Sequence, residues 1–179
     1  MKGDNNLIKM FTTQLSGLFN RIADKEEFSI EDGARLLAQA TVGEGSIYIK
    51  GFAEMESVTL EALSGHEPLP SAKALTNADA LTVADRVLLV SRFSTDEEAV
   101  ALAKQLSDQG VAFTAISGAV SGEGESLTDL ADIHIDTKLI KGMLPGEELG
   151  ERVGFPSSMA ALYIYYLIKF SLEEMLEEY

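Results

Sequence analysis

A three-layer α/β/α domain with a mainly parallel sheet of about five strands is the fold class this sequence predicts, on three observations. Two amphipathic helical stretches open the chain, and strand-like and helix-like segments then alternate. Within that alternation Val87, Leu88, Leu89 and Val90 are apolar on both faces, as a central parallel strand covered by helices must be. The 179 residues, 46% apolar and 24% charged, suffice for one folded domain with a true core. The whole chain, 1–179, reads as that single domain, with helices over 1–42, an α/β core over 43–136, an irregular segment over 137–155 and a closing helix over 156–178.

Leu7, Met10, Phe11, Leu15, Leu18, Phe19 and Ile22 recur at three- and four-residue spacing, the stripe of a helix ending near Asp24. Ser29, three residues before Asp32, gives a capping-box-like start to a second helix through Ile30, Ala34, Leu36, Leu37 and Ala40, which Gly43 and Gly45 stop. Ser46 to Phe52 follows as a strand. Met55, Val58, Leu60 and Ala62 mark a helix up to Leu63, ended before Pro68 and Pro70, and a weak edge strand is placed at Lys73 to Thr76.

After the central strand, Arg86 to Val90, Ser94 or Thr95 is expected to cap a helix whose first turn holds Asp96, Glu97 and Glu98 against the positive dipole end. Ala99, Val100, Ala103 and Leu106 form its stripe and Gly110 its stop. Val111 to Ile116 is the next buried strand. The glycine-rich loop Ser117 to Glu125 then leads to a short helix from Ser126, with Asp129 at capping-box spacing, and to a strand at Ala131 to Asp136. In the last helix Tyr163, Tyr165 and Tyr166, with Leu162, Leu167 and Phe170, are apolar almost all round. A single domain is not expected to cover that face, so a homo-oligomer, dimer or larger, follows.

Composition excludes several function classes. With 29 acidic against 14 basic side chains the net charge is -15, a surface that repels phosphate backbones, so no nucleic acid partner is expected. There is no cysteine, which removes disulfides, thiolate nucleophiles and Cys-held metals. His66 and His134 are far apart and neither has a partner at metal-ligand spacing, so no metal site is expected. The longest apolar run, Met159 to Ile168, is half the roughly 20 residues needed to cross a bilayer, and Met1 to Asn6 lacks the features of a secretory signal. A cytoplasmic protein without membrane contact is the expectation. Gly118, Gly122 and Gly124 are followed by no lysine in Walker spacing, and Gly43 and Gly45 precede a strand where a dinucleotide fingerprint would follow one, so no cofactor is expected.

In an open parallel sheet, ligands bind beyond the carboxyl ends of the strands. That places a candidate site on Gly51, Phe52 and the loop to Met55, on Ser91, Arg92, Ser94 and Thr95, and on Ser117 and Gly118. The second loop offers hydroxyls where the free N–H groups of the next helix point outward, a place for an anion, most naturally a phosphate; the competing reading is a hydroxyl that only caps the helix. Arg92 can grip phosphate with two N–H groups or pair with Asp96, Glu97 or Glu98. Glu54 and Glu61 are candidate bases and His66 the better acid/base histidine, while His134 reads as structural. Solvated helix-face glutamates remain the plainer alternative for Glu54 and Glu61.

Asp32-Gly33-Ala34-Arg35-Leu36-Leu37, Ile47-Tyr48-Ile49-Lys50-Gly51, Val87-Leu88-Leu89-Val90-Ser91 and Ala115-Ile116-Ser117-Gly118, in that order, resemble the sugar isomerase (SIS) domain over about residues 5–178. Within that family the chain resembles an uncharacterised bacterial group labelled phosphoheptose isomerase. The resemblance implies a phosphosugar ligand, its phosphate held on the loop after the strand Arg86 to Ser91, with Ser91 matching the first phosphate-loop serine. The chain departs from the pattern at Phe93, Ser94 and Asp96, replaces the glycine-rich turn after the first strand with Phe52, Ala53 and Glu54, and has no histidine in its last helix. A non-catalytic phosphosugar-binding module is therefore expected, with an aldose-ketose phosphosugar isomerase as the alternative.

Overall fold

The computed structural model describes residues 4–179. Helices α1 (Asp4–Lys25) and α2 (Glu27–Val42) lead into β1 (Ile47–Gly51), a 3-10 turn (Ala53–Met55), α3 (Glu56–Ser64) and β2 (Ala72–Ala74). Then come β3 (Arg86–Phe93), α4 (Glu97–Gln109), β4 (Phe113–Gly118), α5 (Leu127–Leu130), β5 (Ile133–Asp136), the short strands β6 (Leu144–Pro145) and β7 (Arg152–Val153), and α6 (Ser157–Glu177). No helix among the described residues is long and apolar enough to cross a membrane.

β1 to β5 form one parallel sheet in the order β2-β1-β3-β4-β5. Ile47 lies opposite Arg86, and Gly51 opposite Val90. The two-residue period of a strand splits its side chains between two cores. Ile47, Ile49, Leu88, Val90, Ile116 and Ile135 pack under α1, α2, α3 and α6. Val87, Leu89, Phe113 and Ala115 pack under α4 and α5. The connection through α3 runs from β1 outward to β2, and that through α4 runs the other way, from β3 to β4. Right-handed crossovers in opposite directions put α3 and α4 on opposite faces and open a crevice between the carboxyl ends of β1 and β3.

Local chemistry accounts for the boundaries. Gly110 ends α4 in the left-handed region, φ 70°. Ser126 N–H donates to Asp129 Oδ2 at 2.9 Å, the expected capping box of α5. Asp85, just before β3, takes the N–H groups of Ser46 (2.9 Å) and Thr82 (2.8 Å), tying the entrances of β1 and β3 together.

Four expectations need correction. Ser29 does not start α2: the helix begins at Glu27, and because α1 and α2 are nearly continuous, Glu26 N–H donates to Ile22 O and Ile30 N–H to Glu26 O without a side-chain cap. Neither Ser94 nor Thr95 caps α4. Asp96 is the N-cap residue, its carboxylate taking the N–H of Phe93 at 3.0 Å, while the Ser94 hydroxyl donates to Val120 O and accepts from Val120 N–H. The segment from Thr137 to Gly154 is not wholly irregular, since β6 and β7 pair antiparallel and Arg152 donates to the carbonyls of Gly142 and Met143. Last, most of the apolar face of α6 is covered within one copy. Ala160, Ala161, Ile164, Tyr165, Ile168 and Leu172 are buried in the core shared with α1, α2 and α3, and Tyr163 stacks on Phe19 at 4.4 Å.

Candidate functional site

The crevice between β1 and β3 is crossed by side chains from three distant parts of the sequence. β1 ends at Gly51, where the 3-10 turn folds straight back: an added Cβ would lie 2.0 Å from Met55 O, so only glycine fits. Ala53 takes a left-handed φ of 51° in that turn, a strained setting for a residue with a Cβ. The turn aims Glu54 across the crevice. On the other side β3 and β4 shift register between Val90 and Phe93, and the irregularity buries Ser91 and turns Arg92 outward.

Arg92 meets Glu54 with two prongs, Nε to Oε1 and Nη2 to Oε2, both at 2.7 Å. Ser157, in the first turn of α6, donates its hydroxyl to the same Oε1 at 2.7 Å. Arg92 and then the Ser157 hydroxyl, against the opposing effect of burial, hold the Glu54 carboxyl down at about 2. The partner of Arg92 is thus Glu54 and not the acids that follow it in sequence, and its own pKa is raised chiefly by the hydrogen bonds to Glu54.

The hydroxyl-bearing residues of the loop after β3 divide into two groups. Ser91 is buried and its hydroxyl donates to Phe93 O at 2.8 Å, and Ser94 is likewise buried and engaged with Val120. Thr95 is half-buried with its methyl group against Gly122 of the loop after β4, and its hydroxyl has no hydrogen-bond partner among the described residues. On the neighbouring strands Ser117 Oγ and His134 Nε2 share a 2.7 Å hydrogen bond. Burial pushes His134 below its ordinary value, while Asp136 and Glu26 pull it up. Gly118 is packed under Leu139 O, which an added Cβ would approach to 2.7 Å. Phe52 continues β1 by donating its N–H to Val90 O, and Lys50 stands 5.3 Å over its ring.

The structure does not bring the candidate proton-transfer groups together. Glu61 lies on α3 and accepts the Tyr166 hydroxyl at 2.5 Å, a link between α3 and α6. His66 is exposed in the loop after α3, which leads to Ala72 opposite the first residue of β1 and so lies at the amino ends of the strands, away from Glu54. Two members of the cluster were not nominated from the sequence. Ser157 stands 103 residues from Glu54, with only its place at a helix start to mark it. Asp96, expected only as a dipole partner, instead closes the turn before α4 by accepting the Phe93 N–H. Among the described residues no group of carboxylates and histidines could hold a metal ion.

Residues 7–176 match the family described as "Domain of unknown function (DUF2529)". A Bacillus subtilis (strain 168) relative, "Uncharacterized protein YwjG", is 45% identical over 174 residues, 97% of this chain and 99% of that protein. Among solved structures, a phosphoheptose isomerase from Francisella tularensis superposes with a TM-score of 0.67 at 16% identity, over 97% of this chain and 100% of that one. The Vibrio vulnificus NanR protein complexed with ManNAc-6P has a TM-score of 0.66 at 16% identity, over 98% of this chain and 68% of that one. The resemblance to the sugar isomerase domain holds at the level of fold.

Proposed function

The chain belongs to the DUF2529 family, and we propose that it is a phosphosugar-binding module on the sugar isomerase fold that does not isomerise its ligand. The ligand sits in the crevice between the carboxyl ends of β1 and β3. Its phosphate meets the free hydroxyl of Thr95, Arg92 and the first turn of α4, and its sugar faces Gly51 to Glu54 and the Ser117 to Gly118 turn. Ser91 and Ser94 hold the loop in shape through their inward hydroxyls. The ManNAc-6P complexed with the NanR protein, a fold neighbour, supports this choice of ligand. The module works in the cytoplasm as a homo-oligomer.

The observation that carries the non-catalytic reading is the engagement of both Glu54 carboxylate oxygens by Arg92 and of one by Ser157. Moving a proton between neighbouring sugar carbons needs a base whose pKa lies near the working pH. Held at about 2 by Arg92 and Ser157, Glu54 is a poor one, and Glu61 and His66 lie elsewhere.

A thermal-shift screen of hexose and heptose phosphates tests the ligand class. A ligand at 100 times its dissociation constant adds about 2.7 kcal/mol, roughly 5–11 °C of melting temperature for a domain of this size. Thr95→Val and Ser91→Ala should shrink that shift. Conversion of a sugar phosphate by the purified protein, lost in Glu54→Gln or Glu61→Gln, would replace this reading with the isomerase one.

A further inference from the structure

We propose that two copies of the chain associate by laying the N-terminal half of α1 from each into a groove between α2 and α6 of the other. The inference rests on the self-association in the proposed function and names the surface that performs it. The groove has a volume of about 790 Å³. Its walls include Ile30 and Val42 from α2 and Leu167, Phe170 and Met175 from α6. Val42 is 51% exposed and Phe170 56%, so apolar surface stays wet in a single copy, the mark of a surface that another molecule covers. Glu27, Glu31, Glu174 and Glu178 stand around it. The one cation among its lining residues, Arg35, is already engaged by Glu31 and Asp32, each at 2.6 Å.

The occupant must therefore be apolar and must add no net negative charge. A chain with a net charge of -15 offers little surface of that kind. α2, α4 and α6 each carry three acids for one base, whereas α1 carries three bases, Lys9, Arg21 and Lys25, for two acids, Asp4 and Asp24 at its ends. α1 also leaves apolar side chains exposed at its N-terminal end. Its fully buried residues, Leu18 and Ile22, lie in its C-terminal half, whereas Leu7 is 50% and Ile8 64% exposed. Lys9 follows them directly, placed to meet the carboxylates of a partner's groove.

The fit also closes. α1 has 22 residues and spans about 33 Å, and Ala23 near its end lines the groove of its own copy. An antiparallel pair of α1 helices about a two-fold axis brings Leu7 and Ile8 of each copy to the groove of the other. Both contacts are then identical and no surface is left to propagate. The mode is that of an amphipathic helix seated in an apolar groove.

The experiment uses the full chain and the absence of native cysteine. Sedimentation at micromolar concentration should give a dimer; a monomer would overturn both the interface and the self-association it rests on. Single variants Ile8→Cys and Phe170→Cys, mixed and oxidised, should then give a cross-linked heterodimer in far higher yield than either variant alone. A dimer that forms without that cross-link overturns the α1 interface and leaves self-association standing. Phe170→Glu, at an exposed position, should weaken the dimer at least tenfold with unchanged far-UV circular dichroism; a dimer of full strength refutes the groove contact. Capture of a Lys/Leu amphipathic helical peptide in the groove of a chain that stays monomeric would identify a different occupant and also refute it.

Discussion

Breaking the Glu54–Arg92 bridge should cost stability through their coupling, and a double-mutant cycle isolates it. The carboxyl falls from an ordinary 4.5 to about 2, a net gain over the opposing burial of about 3 kcal/mol. Ser157 supplies part of that and the Arg92 side chain is 48% exposed, so solvent screening leaves about 1–2 kcal/mol for the pair. Because the folded-state pKa is depressed, the contribution is present above pH 4.5 and is lost as the pH falls toward 2. Urea denaturation of the parent, Glu54→Gln, Arg92→Gln and the double variant at pH 7 and low salt measures the coupling directly. Single-variant losses that add within about 0.3 kcal/mol would show that the bridge contributes nothing and refute the account of a carboxylate held out of proton transfer.

Two further substitutions test how the crevice is built. Asp85→Asn leaves charge-assisted bonds to Ser46 and Thr82 weakened where β1 and β3 begin, and should cost about 1–3 kcal/mol in the same denaturation assay; no loss would mean that this tie does not hold the strands in register. Gly51→Ala forces a Cβ against the Met55 carbonyl and should destabilise by about 1–3 kcal/mol with or without a sugar phosphate. A variant of parental stability that has lost only ligand response would show that Gly51 serves the ligand and not the turn.

The sheet was legible because its signals are local. Four apolar residues in a row at Val87 to Val90 can only be buried on both sides, and Gly110 and the Ser126–Asp129 pair punctuate the chain within three or four residues. The candidate site was legible in place but not in contacts. The parallel sheet fixed its loops at the carboxyl ends of β1, β3 and β4, yet which acid would meet Arg92 depended on a 3-10 turn with Ala53 at positive φ and on a helix start 103 residues beyond Glu54. Asp96, Glu97 and Glu98 stand nearer to Arg92 in sequence, but the Asp96 carboxylate turns back to accept the Phe93 N–H while the register shift turns Arg92 outward to Glu54. The burial of α6 was hidden for a similar reason. Small side chains at Ala160 and Ala161 leave room for close packing in the shared core, a fit that one helix's periodicity does not reveal.

Binding without turnover at the β1–β3 crevice is tested most directly by nuclear magnetic resonance of hexose and heptose phosphates incubated with the protein in heavy water. The phosphorus signal of at least one of them should shift or broaden in the presence of the parent and recover with Thr95→Val, while the carbon-bound protons keep their intensity and no second sugar appears. Deuterium entering beside the carbonyl carbon, or signals of the isomeric sugar growing in, would contradict the account, as would a phosphorus spectrum that the protein leaves unchanged for every sugar phosphate tried.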